Sequence, residues 1–203
     1  MRLYHSERAP NPRRVRIFLA EKGIDIEYIL VDLANHEHQT AEFSAKNPLM
    51  RLPVLELDDR TYISESIAIC RYFEGLHPEP CLFGRTPYEQ AVTEMWNRRI
   101  ELGLYAHIAN AFRHTNPAMA DFEKPQISEW GKANAAKIDD ALAMIDLHLA
   151  NSDFIAGDHF SVADISLLVA VDFLRVLRRA IPPHMHALAR WHANVSARAS
   201  AGA

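Results

Sequence analysis

The chain is 203 residues long and about half hydrophobic, with 22 basic against 26 acidic side chains and a formal net charge of −4. That length admits one large domain or two small ones with a true core, and the negative balance argues against general affinity for nucleic acid or an anionic membrane. No apolar run nears the roughly 20 residues a bilayer span requires, and the opening MRLYHSERAP has no apolar stretch of the kind a secretory signal needs, so the expected compartment is the cytoplasm.

In chain order, RLYH (2–5) reads as a short strand. A helix is expected from Pro12, with Val15, Phe18 and Leu19 on one face and Gly23 where it would end. IEYILVDL (26–33) is a nearly continuous apolar run rich in β-formers, as a strand buried on both faces would be. A short helix over Ala41 to Lys46 follows, and then PVLEL and TYI flank DDR as a hairpin. SESIAICRYFEGL (64–76) reads as a helix with Ser64 as its N-cap. The order β-α-β-α-β-β-α predicts a small mixed-sheet α/β layer over residues 1–76.

HPEPCLFGRTP (77–87) carries three prolines and a glycine in eleven residues and reads as a linker. Beyond it no strand pattern is visible, so 88–203 is expected to be an all-α bundle. Val92, Trp96, Ile100, Leu104, Ile108 and Phe112 recur every four residues, the mark of one long amphipathic helix. A second helix carries Trp130, Ile138, Leu142, Ile145 and Leu149. Residues 163–177 are apolar nearly all round and predict a central helix, and Met185, Leu188, Trp191 and Val195 mark a final surface helix.

Pro53 poses the first chemical question. A proline has no N–H for a sheet ladder and suits the first residue of a strand, where it can also carry a cis peptide. A cis bond there would turn the backbone of Leu52 outward, free for another partner. Asn11-Pro12 reads as an N-cap and N1 pair. A helix N-terminus stabilises a nearby anion or thiolate. In a thioredoxin-like layer a redox CxxC would sit here, yet APNP (9–12) holds no thiol. Either a small molecule brings the sulfur, or Asn11 does no more than cap the helix. Ser66, in the first turn of the third helix, could bind a carboxylate and Glu65 an ammonium; alternatively Ser64 caps and Glu65 only favours the helix dipole.

The remaining features are structural or open. SVAD (161–164) is a capping box heading the apolar helix. HEH (36–38) and HMH (184–186) pair histidines without supporting ligands at metal spacing and read as surface loops. Cys70 and Cys81 fall in no metal or redox spacing, and Cys70 suits a small core filler. Arg13, Arg14 and Arg16 could steer an anionic ligand or form a solvated face. Tyr105, His107, Phe112 and His114 could line an apolar pocket between the domains, or simply pack.

Taken in order and spacing, RRVRIFLAEKGIDIEY, HQTAEFSAKNPLMRLPVLELDD, SESIAICRYF and SVADISL resemble the cytosolic glutathione transferases over essentially the whole chain. The resemblance implies a thioredoxin-like N-terminal domain, an all-α C-terminal domain, glutathione as co-substrate, no metal, and a homodimer. It implies a cis Pro53, with the Leu52 backbone pairing like a strand against the cysteinyl part of glutathione. Glu65 and Ser66 would hold the γ-glutamyl end, and His38 and Arg51 the glycyl end. Where many classes place an activating serine this chain has Ala9, and where others place a tyrosine it has Tyr4-His5. APNP is most similar to the bacterial nu-like pattern, in which an asparagine matching Asn11 approaches the sulfur, with Ser6 as the fallback hydroxyl. RVRIFLAEKGI also resembles the zeta-class isomerases, which carry serine and cysteine at Ala9 and Asn11. The family's NPxGxVP becomes NPLMRLP, with Met50 for glycine and Leu52 for valine. The expected activity is delivery of the glutathione thiolate to an electrophile or a disulfide, with the second substrate near Tyr105 and Phe112. Disulfide reduction as the main activity, or a binding protein without chemistry, are the alternatives.

Overall fold

The computed structural model describes all 203 residues, which fall into two units, Met1–Leu82 with Ala199–Ala203, and Phe83–Arg198. The first unit thus runs past residue 76 and includes a C-terminal segment that the sequence pattern groups with the helices. Its strands β1 (Arg2–His5), β2 (Glu27–Leu30), β3 (Val54–Glu56) and β4 (Tyr62–Ser64) form one sheet in the order β2-β1-β3-β4. β1 runs parallel to β2 and antiparallel to β3, and β3 pairs antiparallel with β4, giving a mixed thioredoxin-like sheet. Leu3, Leu55, Val15, Phe18, Ile69, Cys70 and Phe73 are buried between the sheet and the helices α1 (Pro10–Glu21) and α3 (Ser66–Leu76).

Three expectations are corrected in this unit. β2 is an edge strand and Glu27, Tyr28 and Leu30 are exposed. The apolar run at 26–33 therefore does not mark a buried strand: burial needs layers packed on the faces of the sheet, and three of the four strand residues stay exposed. The buried member of the run is Val31, just past the strand, whose N–H reaches the His5 carbonyl at 2.8 Å. α1 starts at Pro10 with Ala9 as N-cap, not at Pro12 with Asn11. Pro10 forces Ala9 out of the helical region, to φ −83°, ψ 133°. Pro12 then sits in the first turn, where its missing N–H would have had no partner anyway. Finally, Ser64 stays in β4 opposite Val54, and the N-cap of α3 is Glu65.

The second unit is helical throughout: α4 (Pro87–Ile100), a π-helical turn at Glu101–Tyr105, α5 (Ala106–Thr115), α6 (Ser128–Leu149), α7 (Val162–Phe173) and α8 (His186–Ser196). The four-residue apolar repeat is therefore carried by two α-helices joined by a π turn. An apolar residue every fourth position overshoots an α-helical turn by about 40° per step. A π turn holds one extra residue and lets Trp96, Ile100, Leu104 and Ile108 all stay buried. Trp130, grouped with the apolar residues of α6, is exposed near its start. TPYE (86–89) proves to be a capping box that the sequence reading passed over, with the Glu89 N–H donating to Thr86 Oγ1 at 3.2 Å and the Thr86 N–H to Glu89 Oε2 at 3.3 Å. α7 is buried on every face from Val162 to Val171. No helix is long and apolar enough to cross a membrane.

Candidate functional site

The loop before β3 is built by Asn47, a buried side chain that the sequence reading did not single out. Its Nδ2 donates to the Arg51 carbonyl at 2.9 Å, its Oδ1 accepts the Leu49 N–H at 3.1 Å, and its own carbonyl accepts the Met50 N–H at 2.9 Å. Met50 is held at φ +50°, in the left-handed region. This is the position at which the family pattern has glycine, and the geometry gives the reason: an L side chain pays about 1–2 kcal/mol there. Met50→Gly is accordingly expected to leave the fold intact and to raise stability by up to about 1 kcal/mol after the entropic cost of glycine; urea unfolding checks it, and a destabilised variant would show that the methionine side chain contributes packing.

The Leu52–Pro53 peptide is cis. The β1–β3 ladder reaches only to the Tyr4–Val54 pair, so the N–H and C=O of Leu52 lie outside it and take no backbone partner. The Leu52 side chain packs inward with Tyr4 on Val31, Phe43 and Val54, which fixes the residue while leaving its peptide groups available.

Tyr4 is engaged within this unit. Its ring stands edge-on to Phe43, and its hydroxyl donates to Glu56 Oε2 at 2.6 Å. Burial, with the Glu56 carboxylate beside it, pushes the phenol up to about 12. Ser6 ends β1 half-buried. Its carbonyl accepts the Ala9 N–H at 3.3 Å and Arg16 Nη1 at 3.4 Å, and its hydroxyl has no partner in the chain. The arginines of α1 are not a solvated face. Arg16 clasps the β1–α1 loop through the Ser6 and Glu7 carbonyls and His5 Nδ1. Arg13 Nη2 reaches the Ala201 carbonyl at 3.0 Å. Arg14, only 1 % exposed, donates from Nη1 to Ser66 Oγ at 2.7 Å and toward Asn11 Oδ1 at 3.5 Å.

Through Arg14 the structure brings Asn11 and Ser66 together, although they are 55 residues apart in sequence. Glu65 precedes them at φ 69°, ψ 115°, a conformation that non-glycine residues rarely hold and that clusters at functional sites. Its carboxylate is exposed and bonded to nothing in the chain. The first-turn N–H groups of α3, with no preceding carbonyls to bond, lie at the same point.

His38 and Arg51 form a second pair. His38 is buried in a 3₁₀ turn (Glu37–Gln39) and stacks on His36 with ring centroids 6.2 Å apart, so HEH is not a plain surface loop. Burial, then the charges of His36 and Arg51, hold the His38 imidazole below its ordinary value. Burial and Arg16 do the same to His5. For both groups the unfolded chain takes up a proton first, so stability is full above the unfolded value of 6.5 and declines as pH falls below it. The expected result is a melting temperature that drops between pH 7 and pH 5.5, with the slope reduced in His5→Gln; an unchanged slope would remove His5 from the account.

In the helical unit, Tyr105 in the π turn stacks on Phe173 at 5.6 Å and Phe112 meets the same ring edge-on at 6.0 Å. His107 Nδ1 pairs with Asn134 Oδ1 at 2.8 Å, and His114 Nδ1 accepts the Ile127 N–H at 3.1 Å. These histidines tie α5 to α6 and to the segment just before it. No group of three or more His, Cys, Asp or Glu side chains is placed to hold a metal ion.

A mixed β2-β1-β3-β4 sheet with a cis-proline heading β3, joined to an all-helical unit, is the architecture of a thioredoxin-like domain followed by a helical domain. The model of the glutathione S-transferase N-terminal domain matches residues 9–76, and that of the C-terminal domain matches residues 108–199. Glutathione S-transferase 2 of Saccharomyces cerevisiae is 36% identical over 203 residues, covering 98% of this chain and 87% of its own. Among solved structures, a glutathione S-transferase domain-containing protein from Marinobacter aquaeolei VT8 aligns with TM-score 0.95 at 40% identity, covering 98% of this chain and 99% of that one. Gtt2 from Saccharomyces cerevisiae aligns equally well, with TM-score 0.95 at 36% identity, over 100% of this chain and 99% of its own. The chain belongs to the glutathione S-transferase family.

Proposed function

We propose that this protein is a glutathione transferase, which binds glutathione, stabilises its thiolate and delivers it to an electrophile or a disulfide. The observation that carries this reading is the unbonded backbone of Leu52 ahead of the cis Pro53. It offers one donor and one acceptor, the pair that an extended cysteinyl residue requires. The γ-glutamyl ammonium then meets the free carboxylate of Glu65, and the γ-glutamyl carboxylate meets Ser66 and the first turn of α3. The glycyl carboxylate lies toward His38 and Arg51. The sulfur falls to the N-terminus of α1, where Asn11, with Ser6 as the other donor, lowers the thiol pKa. A thiolate is a good nucleophile without a dedicated base, so the absence of a hydroxyl at Ala9 is no bar to catalysis. The aromatic cluster of Tyr105, Phe112 and Phe173 is the surface offered to an apolar second substrate. A cytoplasmic homodimer completes the reading.

The test is a pair of assays with glutathione, one with a chloronitrobenzene and one with a small mixed disulfide, repeated on Asn11→Ala and Ser6→Ala. Turnover in either assay is expected for the wild type, with the larger loss in Asn11→Ala. A larger loss in Ser6→Ala moves the activating group to Ser6. Absence of turnover in both, with glutathione still raising the melting temperature, would leave a binding protein only.

A further inference from the structure

Arginine carries only donors. Whatever its Nη1 faces must therefore offer a lone pair, and Ser66 Oγ and Asn11 Oδ1 both lie against Arg14 Nη1. This fixes the polarity of both partners. The Ser66 hydroxyl gives its lone pair to Arg14, so its proton is directed away. The Asn11 carboxamide turns its oxygen to Arg14, so its Nδ2 hydrogens point away, and they meet no acceptor within the chain. Two side chains that could each act as donor or acceptor are both presented as donors, the only polarity an anionic ligand can use.

Building on the glutathione reading above, we propose that Arg14 is a positioning residue for catalysis, a buried guanidinium whose Nη1 holds Ser66 as the donor to the γ-glutamyl carboxylate and Asn11 as the donor to the thiolate. The two ends of the tripeptide are thereby coupled through a residue that touches neither. Its burial under α3 also puts a fixed positive charge where water screens it poorly, which favours the same anions.

The experiment measures two quantities on the full chain: the glutathione Kd by calorimetry, and the pH at which the bound thiol ionises, followed by thiolate absorbance. Arg14→Met is expected to weaken binding about ten-fold or more, as the loss of a charge-assisted hydrogen bond would, and to move the thiol titration to higher pH. Arg14→Lys, which keeps the charge but not the planar guanidinium that sets Nη1 between the two partners, is expected to recover part of the affinity and less of the titration shift. Folded variants that are less heat-stable yet match the wild type in both Kd and titration overturn the inference, because only packing would then be lost. If neither variant folds, the arginine Nη–H resonances of the wild type decide. The Arg14 signal must shift on adding glutathione and lose exchange protection in Ser66→Ala, and an unresponsive signal overturns the inference. A wild type that does not bind glutathione overturns both readings, whereas one that binds it, with variants that match, overturns this inference alone.

Discussion

Exchanging Asp164 for asparagine is expected to lower the melting temperature by about 10 °C, a cost of about 3–4 kcal/mol in a chain of this size. The carboxylate lies fully buried at the head of α7 and collects four donors: the Ile155 N–H at 2.9 Å and Trp191 Nε1 at 3.0 Å on Oδ1, with the Ser161 N–H at 3.0 Å and the Ser161 hydroxyl at 2.9 Å on Oδ2. It therefore does more than close the capping box, since it ties α7 to α8 through Trp191 and to the segment before α7 through Ile155. Burial pushes the carboxyl up to about 6, and the four donors oppose that rise. Near pH 7 it is ionised, as four incoming hydrogens require. Asparagine keeps one acceptor oxygen and sets an NH₂ against two of the donors, so even with the Ser161 hydroxyl turned to accept from it, a near-isosteric change leaves at least two buried polar groups mismatched. Asp164→Ala removes the clash but strands all four donors and is expected to cost at least as much. Thermal unfolding near pH 7 settles it; a loss of under 3 °C would show that water replaces the carboxylate without strain.

This cluster also shows how far sequence alone reaches. The Ser161–Asp164 box is legible because both partners lie three residues apart. The pull of Asp164 on Trp191 is not, because it spans 27 residues and depends on how α7 meets α8. The same divide runs through the site. Pro53 announced itself as a strand head, and the strands of the β3–β4 hairpin followed from alternation around a turn. β2 misled, since a run of apolar residues does not say whether anything packs over the faces of the strand. With two prolines near the start of α1, the sequence pointed to the later one as its first residue, and the helix begins at the earlier one. Arg14 was hidden for a plainer reason: an arginine between two other arginines reads as surface. Only the packing of α1 against α3 makes it the most buried charge at the site. Asn47 and Met50 belong to the same class, with roles set by loop geometry and not by any periodicity.

Ser66→Ala is expected to raise the KM for glutathione at least ten-fold while leaving kcat within about three-fold, the pattern of an interaction made equally in ground and transition states. The hydroxyl is almost fully buried and held from below by Arg14 at 2.7 Å, so its proton is pre-aimed and loses little entropy on binding. Removing it withdraws one donor from the γ-glutamyl carboxylate and the acceptor from a buried guanidinium, and each deficit is of the order of 1–3 kcal/mol. In the proposed placement the carboxylate lies at the far end of the tripeptide and keeps its charge during sulfur attack, so any effect on kcat comes only through the Arg14 link to Asn11. Asn11→Ala should show the opposite split, with kcat reduced and the thiol titrating at higher pH, because its proposed partner is the sulfur, whose charge is consumed in the reaction. Steady-state kinetics over glutathione concentration, with saturating second substrate, separates the two. Equal losses of kcat and kcat/KM in Ser66→Ala would mean that this hydroxyl contacts the reacting sulfur, and the placement of the γ-glutamyl end at α3 would have to be abandoned.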